Sequence, residues 1–141
     1  IITRAEFTSM LMNYLALGDE VKQNFDDVSK DDWYYEQVGR AGLHSIVAGV
    51  ESGMFRPNDA ITREEMATML VRAYKVKHGF KLVGDEHAFV DANNISSYAV
   101  ASIYAAKATG IISGYPDNTF KPKANASRAE ASAMMFLFLE K

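Results

Sequence analysis

Three arginines each sit between a hydroxyl residue and a glutamate at fixed spacing: Thr3-Arg4-Ala5-Glu6, Thr62-Arg63-Glu64-Glu65 and Ser127-Arg128-Ala129-Glu130. Ser/Thr-x-x-Glu is a capping box. The hydroxyl of Thr3, Thr62 or Ser127 accepts from an N–H of the first helical turn, and Glu6, Glu65 or Glu130 reaches back to the cap's own N–H. Each Arg then falls on the first helical position, where open N–H groups and the positive end of the helix dipole favour an anion. A guanidinium there meets a carboxylate bidentately, through charge-assisted hydrogen bonds. Three helix starts of one design, each with its own cation, predict repeated anion binding rather than one catalytic centre. The competing assignment is an internal ion pair, in which Asp27 and Asp91, at matching places in the chain, hold Arg63 and Arg128.

Other chemistries find little footing. The net charge of −3 gives no basic face for nucleic acid. With no cysteine, disulfides, zinc thiolates and Cys nucleophiles are excluded. His44, His78 and His87 show no ligand spacing, and Asp26-Asp27 and Asp31-Asp32 lack the twelve-residue loop of a calcium site. No Gly-x-Ser-x-Gly elbow is present. The acids that recur have capping duties, which leaves no asymmetric pair for glycoside hydrolysis. No apolar run approaches the ~20 residues that span a bilayer. Hydrophobic residues at 48% of 141 are enough for one compact domain with a real core. A chain that opens on Ile1 rather than Met is expected of a segment from a longer protein.

The elements that must position the arginines repeat. At an offset of 65 residues, Gly49, Phe55, Pro57, Arg63 and Glu65 fall on Gly114, Phe120, Pro122, Arg128 and Glu130. Phe25 and Asp27 match Phe89 and Asp91 one residue out of step. Each full unit reads Phe-x-Asp, helix, Gly-containing loop, Phe-x-Pro, capping box, helix. Apolar residues recur at helical spacing in three stripes: Phe7, Met10, Leu11, Tyr14 and Leu15; Met66, Met69, Leu70, Ala73 and Tyr74; Ala131, Met134, Met135, Phe138 and Leu139. Weaker amphipaths carry Tyr34, Val38 and Ala41, and Ala99, Ile103 and Ala106. The pattern predicts five helices, roughly 3–17, 33–45, 62–77, 97–109 and 127–140. It divides one domain into a lone second helix (1–18), a complete unit (19–77), a linker (78–88) and a second complete unit (89–141). The first unit lacks its first helix, which is expected from an upstream segment or another chain, because a helix pair cannot bury its stripe alone.

Phe25-Asp26-Asp27-Val28, Trp33-Tyr34, Gly49 to Gly53-x-Phe55-x-Pro57-Asn58 and Ile61-Thr62-Arg63-Glu64-Glu65 together resemble the S-layer homology (SLH) motif. The unit from Phe89 is similar, with Tyr98 for Trp33, Ala92 for Val28, Lys123 for Asn58 and Ala126-Ser127 for Ile61-Thr62. The resemblance implies an extracellular, all-α anchoring module of bacterial surface layers, with repeats packed as a pseudo-threefold, three-prong spindle. Its implied partner is a secondary cell-wall polysaccharide, associated with peptidoglycan and commonly ending in a pyruvate-ketal amino sugar, held without catalysis or cofactor in grooves between repeats. Carried over, the recognition Arg lands on Arg4, Arg63 and Arg128. Arg56 and Lys121 occupy equivalent loop places that would enrich such a pocket, and Asp27, Gly49 and Gly114 fall in the same motifs. Trp33, Tyr98 and Tyr115 offer flat faces for sugar rings. The alternative is a self-assembly module in which an exposed helical stripe docks another subunit.

Overall fold

The computed structural model describes residues 1–22, 25–50, 52–79, 83–84 and 89–141. They form α1 (Arg4–Leu15), α2 (Tyr35–Leu43), α3 (Arg63–His78), α4 (Val100–Ala108) and α5 (Arg128–Leu139), with 3-10 turns at Ala92–Asn94 and Ser97–Ala99 ahead of α4. Among the described residues there is no strand, only bridge pairs between Thr3 and Ala60 and between Thr62 and Asn125. The all-α expectation is what the chain adopts. The two first helices are shorter than expected at both ends, and neither Tyr34 nor Ala99 supplies a side-chain cap. Most of the expected 78–88 linker, His87 included, lies outside the described residues.

The capping boxes start the three long-stripe helices as the sequence requires. Thr3, Thr62 and Ser127 have extended backbones, and their hydroxyls accept from Glu6 N at 3.1 Å, Glu65 N at 3.3 Å and Glu130 N at 3.0 Å. The return arm is made by Glu65 and Glu130. Glu6 sends its carboxylate to Arg128 instead.

The chain ahead of these caps closes a ring. Ile61 N donates to Ile2 O (3.0 Å), Ile2 N to Ala126 O (3.2 Å), and Ala126 N to Ile61 O (2.9 Å). Three sequence-equivalent residues thus satisfy one another around a pseudo-threefold point, with Ile2, Ile61 and Ala126 all buried. Loop carbonyls from the following unit then fill the first helical turns. Arg4 N and Ala5 N donate to Asp59 O and Pro57 O; Arg63 N and Glu64 N donate to Ala124 O and Pro122 O. The second helix of each unit lies against the first helix of the next, α1 on α2 and α3 on α4.

Phe-x-Asp and Phe-x-Pro explain each other. Phe25 and Phe55 meet with ring centres 5.1 Å apart, and Phe89 and Phe120 at 5.3 Å. The Asp27 carboxylate accepts from Phe55 N (2.8 Å) and Arg56 N (2.7 Å), and Asp91 does the same for Phe120 N (2.9 Å) and Lys121 N (2.8 Å). Arg56 and Lys121 both sit at φ 57°, a left-handed conformation costing a non-glycine residue roughly 1–2 kcal/mol. The two charge-assisted bonds hold the turn against that strain.

Candidate functional site

The motif arginines run around the ring, each pairing with the capping glutamate of the next unit. Arg4 pairs with Glu65 at 2.7 Å, Arg63 with Glu130, and Arg128 with Glu6. Arg4 Nε donates to Phe55 O (2.9 Å) and its guanidinium lies 4.8 Å from the Phe55 ring centre. Arg63 Nε donates to Phe120 O (2.7 Å), with Phe120 at 4.8 Å and Tyr115 at 4.7 Å. Arg4 and Arg63 are buried, whereas the Arg128 side chain is 67% exposed. The internal ion pair is therefore real, but its acids are not the expected ones. Asp27 and Asp91 are spent on loop N–H groups, while Glu65 and Glu130 each cap a helix and receive an arginine at once, and Glu6 receives its arginine without the return arm. The expectation of open N–H groups beside the arginines is also corrected at α1 and α3, where loop carbonyls occupy them.

A groove of about 470 Å³ opens beside Arg4. Its walls are the loop 47–50, the face of α3 bearing Glu64, Glu65, Thr68 and Arg72, and Tyr98 from the next unit. The charges are mostly matched. Arg4 pairs with Glu65, and Glu64 accepts from Lys123 Nζ (2.7 Å), Ser96 Oγ (2.7 Å) and Ser96 N (2.9 Å). Arg72 is the exception. Half-buried on α3, it has no ion pair among the described residues and reaches only Ile46 O, at 3.5 Å. Burial strips water from its guanidinium and lowers its pKa from the usual arginine value. Such a desolvated cation gains most from an incoming anion. Tyr98 faces it half-exposed. Burial first, then the charges of Glu64 and Glu65, push its phenol up to about 12, so its O–H stays a donor at any ordinary pH.

The corresponding place beside Arg63 is built differently. Tyr115 stands at the offset-equivalent of Val50; its hydroxyl donates to Glu130 (3.1 Å), its ring covers Arg63, and Lys121 lies 4.3 Å from the ring centre. Burial raises the Glu130 carboxyl, but the Arg63 charge and the hydrogen bonds of Ser127 outweigh it and hold the group below the usual range. Leu137 takes the place of Arg72 there, and Asn13 takes it on α1.

Of the residues singled out from sequence, the structure brings Arg4, Gly49, Glu65 and Tyr98 together in one groove. It sets Arg63, Tyr115, Lys121 and Glu130 in a second cluster. Trp33 is exposed, edge-on to Tyr34 with ring centres 5.2 Å apart. Arg56 is exposed and 3.5 Å from Asp59. Gly114 is a packing glycine: at φ 76° a Cβ would come within 2.5 Å of Phe89. No group of His, Asp and Glu that could hold a metal occurs among the described residues.

The sequence model of the S-layer homology domain matches residues 24–67 and 88–132, and the chain belongs to that family. It is 40% identical over 145 residues to an amylopullulanase of Thermoanaerobacterium thermosulfurigenes, covering 99% of the chain and 8% of that protein. A surface-layer 125 kDa protein of Lysinibacillus sphaericus is 32% identical over 142 residues, covering 99% of the chain and 12% of that protein. A cellulosome-anchoring protein of Acetivibrio thermocellus is 29% identical over 149 residues, 99% of the chain and 32% of that protein. The chain thus spans under a third of the length of each of these relatives. Family and relatives place it at the bacterial cell surface, outside the cell. No helix among the described residues is long and apolar enough to cross a membrane.

Proposed function

We propose that this module anchors its parent protein to the cell wall by gripping an acidic secondary cell-wall polysaccharide in the groove beside Arg4. The observation that carries the reading is Arg72, a half-buried guanidinium with no acid partner among the described residues, facing Tyr98 across a cleft of small-ligand size. A pyruvate ketal fixes a carboxylate rigidly on a sugar ring. Arg72 would take that carboxylate, the Tyr98 ring and hydroxyl would meet the sugar, and Gly49 would let backbone approach closely. Arg4 shapes the wall through its bonds to Phe55 and Glu65. The groove's two acids are each engaged by a cation, which fits binding without hydrolysis. Arg63 and Arg128 stand at the equivalent places of the other two faces, where Leu137 and Asn13 take the position of Arg72, and we assign them lesser roles.

A pull-down with purified wall polysaccharide tests this. Arg72→Leu, folded by circular dichroism, should lose most capture, while Arg128→Ala should retain it. Undiminished capture by Arg72→Leu overturns the assignment.

A further inference from the structure

The groove beside Arg4 is walled by two arginines and two glutamates, so its own side chains carry no net charge. That balance does not favour an acidic ligand. Arg4 and Glu65 cancel each other at 2.7 Å, which leaves Glu64 set against Arg72 on the same helix. They stand about 12 Å apart along the helix axis, at 1.5 Å per residue. A carboxylate held by Arg72 would therefore lie about one Debye length (roughly 10 Å at 0.1 M salt) from the Glu64 charge.

Glu64 is 3% exposed, and its carboxylate holds the segment that carries Tyr98. Oε2 accepts from Ser96 N (2.9 Å) and Oε1 from Ser96 Oγ (2.7 Å), just ahead of Tyr98. Oε1 also accepts from Lys123 Nζ at 2.7 Å, and the same ammonium donates to Ser96 Oγ. Lys123 comes from the loop of the following unit, with its side chain 58% exposed against 4% for Glu64. Among the described residues it is the one cation paired with this buried carboxylate. Burial, then the Glu64 charge, raises the Tyr98 phenol, so that charge is felt inside the groove. The arrangement is particular to this face of the molecule. Ala5 and Ala129 stand at the places of Glu64, Asn58 at that of Lys123, and Asn13 and Leu137 at those of Arg72.

We infer, on the groove reading above, that Lys123 is a specificity-determining residue: by neutralising Glu64 it turns a balanced wall into a net positive one and so admits an acidic sugar. Glu64 keeps Tyr98 in place, and Lys123 cancels the repulsion that its carboxylate would otherwise exert on the ligand. Lys123 does this from outside the groove wall, without touching the sugar.

Titration with a pyruvylated amino-sugar fragment at low and high salt tests this on Lys123→Met, Glu64→Gln, the double variant and Arg72→Leu. Lys123→Met should weaken binding about threefold or more at low salt, and the deficit should shrink as salt rises toward about 0.5 M. Glutamine keeps an acceptor for Ser96 N without the charge. Glu64→Gln should therefore bind more tightly than the unaltered chain, and adding it to Lys123→Met should recover most of the loss. If the pair served only to brace the fold, the double variant would stay as weak as Lys123→Met, and that result overturns the inference. Lys123→Met leaves a buried carboxylate unpaired; where it fails to fold, Glu64→Gln and Lys123→Arg decide, tighter binding in the first and retained binding in the second being the expected results. Undiminished binding by folded Lys123→Met, or weakened binding by Glu64→Gln, with Arg72→Leu still impaired, overturns the role of Lys123 alone. Unimpaired binding by Arg72→Leu refutes the groove reading, and the role of Lys123 with it.

Discussion

Asp27→Ala should damage the groove from a distance. The Asp27 carboxylate accepts two backbone N–H groups, of Phe55 at 2.8 Å and Arg56 at 2.7 Å, and so fixes the turn where Arg56 sits at φ 57°. Bonds to a charged acceptor contribute roughly 1.5–3 kcal/mol each. The Arg56 N–H is at the surface, where water replaces most of the loss; the Phe55 N–H is half-buried and bears it more fully. The turn also keeps its left-handed strain with less to hold it. A loss of about 2–3 kcal/mol follows, a drop in melting temperature of roughly 6–10 °C for a domain of this size. Asp27→Asn should be nearly as costly, since an amide turns an N–H₂ toward one of two N–H donors. Phe55 positions Arg4 through Nε and its ring, so groove affinity should fall as well. Asp91→Ala, acting on Phe120 and Lys121, should behave alike. Thermal melts of the three variants are the assay. A loss below about 0.5 kcal/mol for both alanine variants would refute the reasoning, because two equivalent carboxylates would then be dispensable.

Thr62→Ala and Ser127→Ala each remove a hydroxyl cap and should cost about 1 kcal/mol in chemical denaturation. Arg128→Ala removes only an exposed pair and should cost no more than about 0.5 kcal/mol. The Glu130 carboxyl is held below its unfolded value, so its stabilisation is complete above the usual carboxylate range and is lost as pH falls through the folded value. Melting temperature should therefore decline below about pH 4.5, and Glu130→Gln should flatten that part of the profile. Tyr98→Phe should leave the melting temperature unchanged but weaken glycan binding several-fold in titration, through loss of one hydrogen bond.

The repeat, the caps and the all-helical class were legible because each is written in local spacing: hydroxyl to Glu, Phe to Pro, apolar residues at helical period. The pairing of Arg4 with Glu65 and Arg63 with Glu130 was not. A partner in the next unit is set by the closing of the Ile2–Ile61–Ala126 ring, which no local pattern announces. Asp27 reads as an acid for an arginine because its charge is visible in sequence, whereas the N–H groups it serves are not. Arg72 is concealed in the sequence for a different reason. It is unrepeated, with Asn13 and Leu137 in its places, so comparison of the units hid the cation that distinguishes one groove. The third stripe is buried at Ala131, Met134, Met135 and Phe138, but Leu139 and the neighbouring Phe136 are exposed. Periodicity marks an apolar face without saying what covers it.

Calorimetric titration with a pyruvylated amino-sugar fragment, and with the same sugar lacking the ketal, separates recognition of the carboxylate from recognition of the sugar ring. Only the ketal sugar should bind saturably, and its binding should weaken about tenfold or more in Arg72→Leu through loss of a charge-assisted contact. Equal affinity for both sugars, or unchanged affinity in Arg72→Leu, would contradict a carboxylate grip by Arg72.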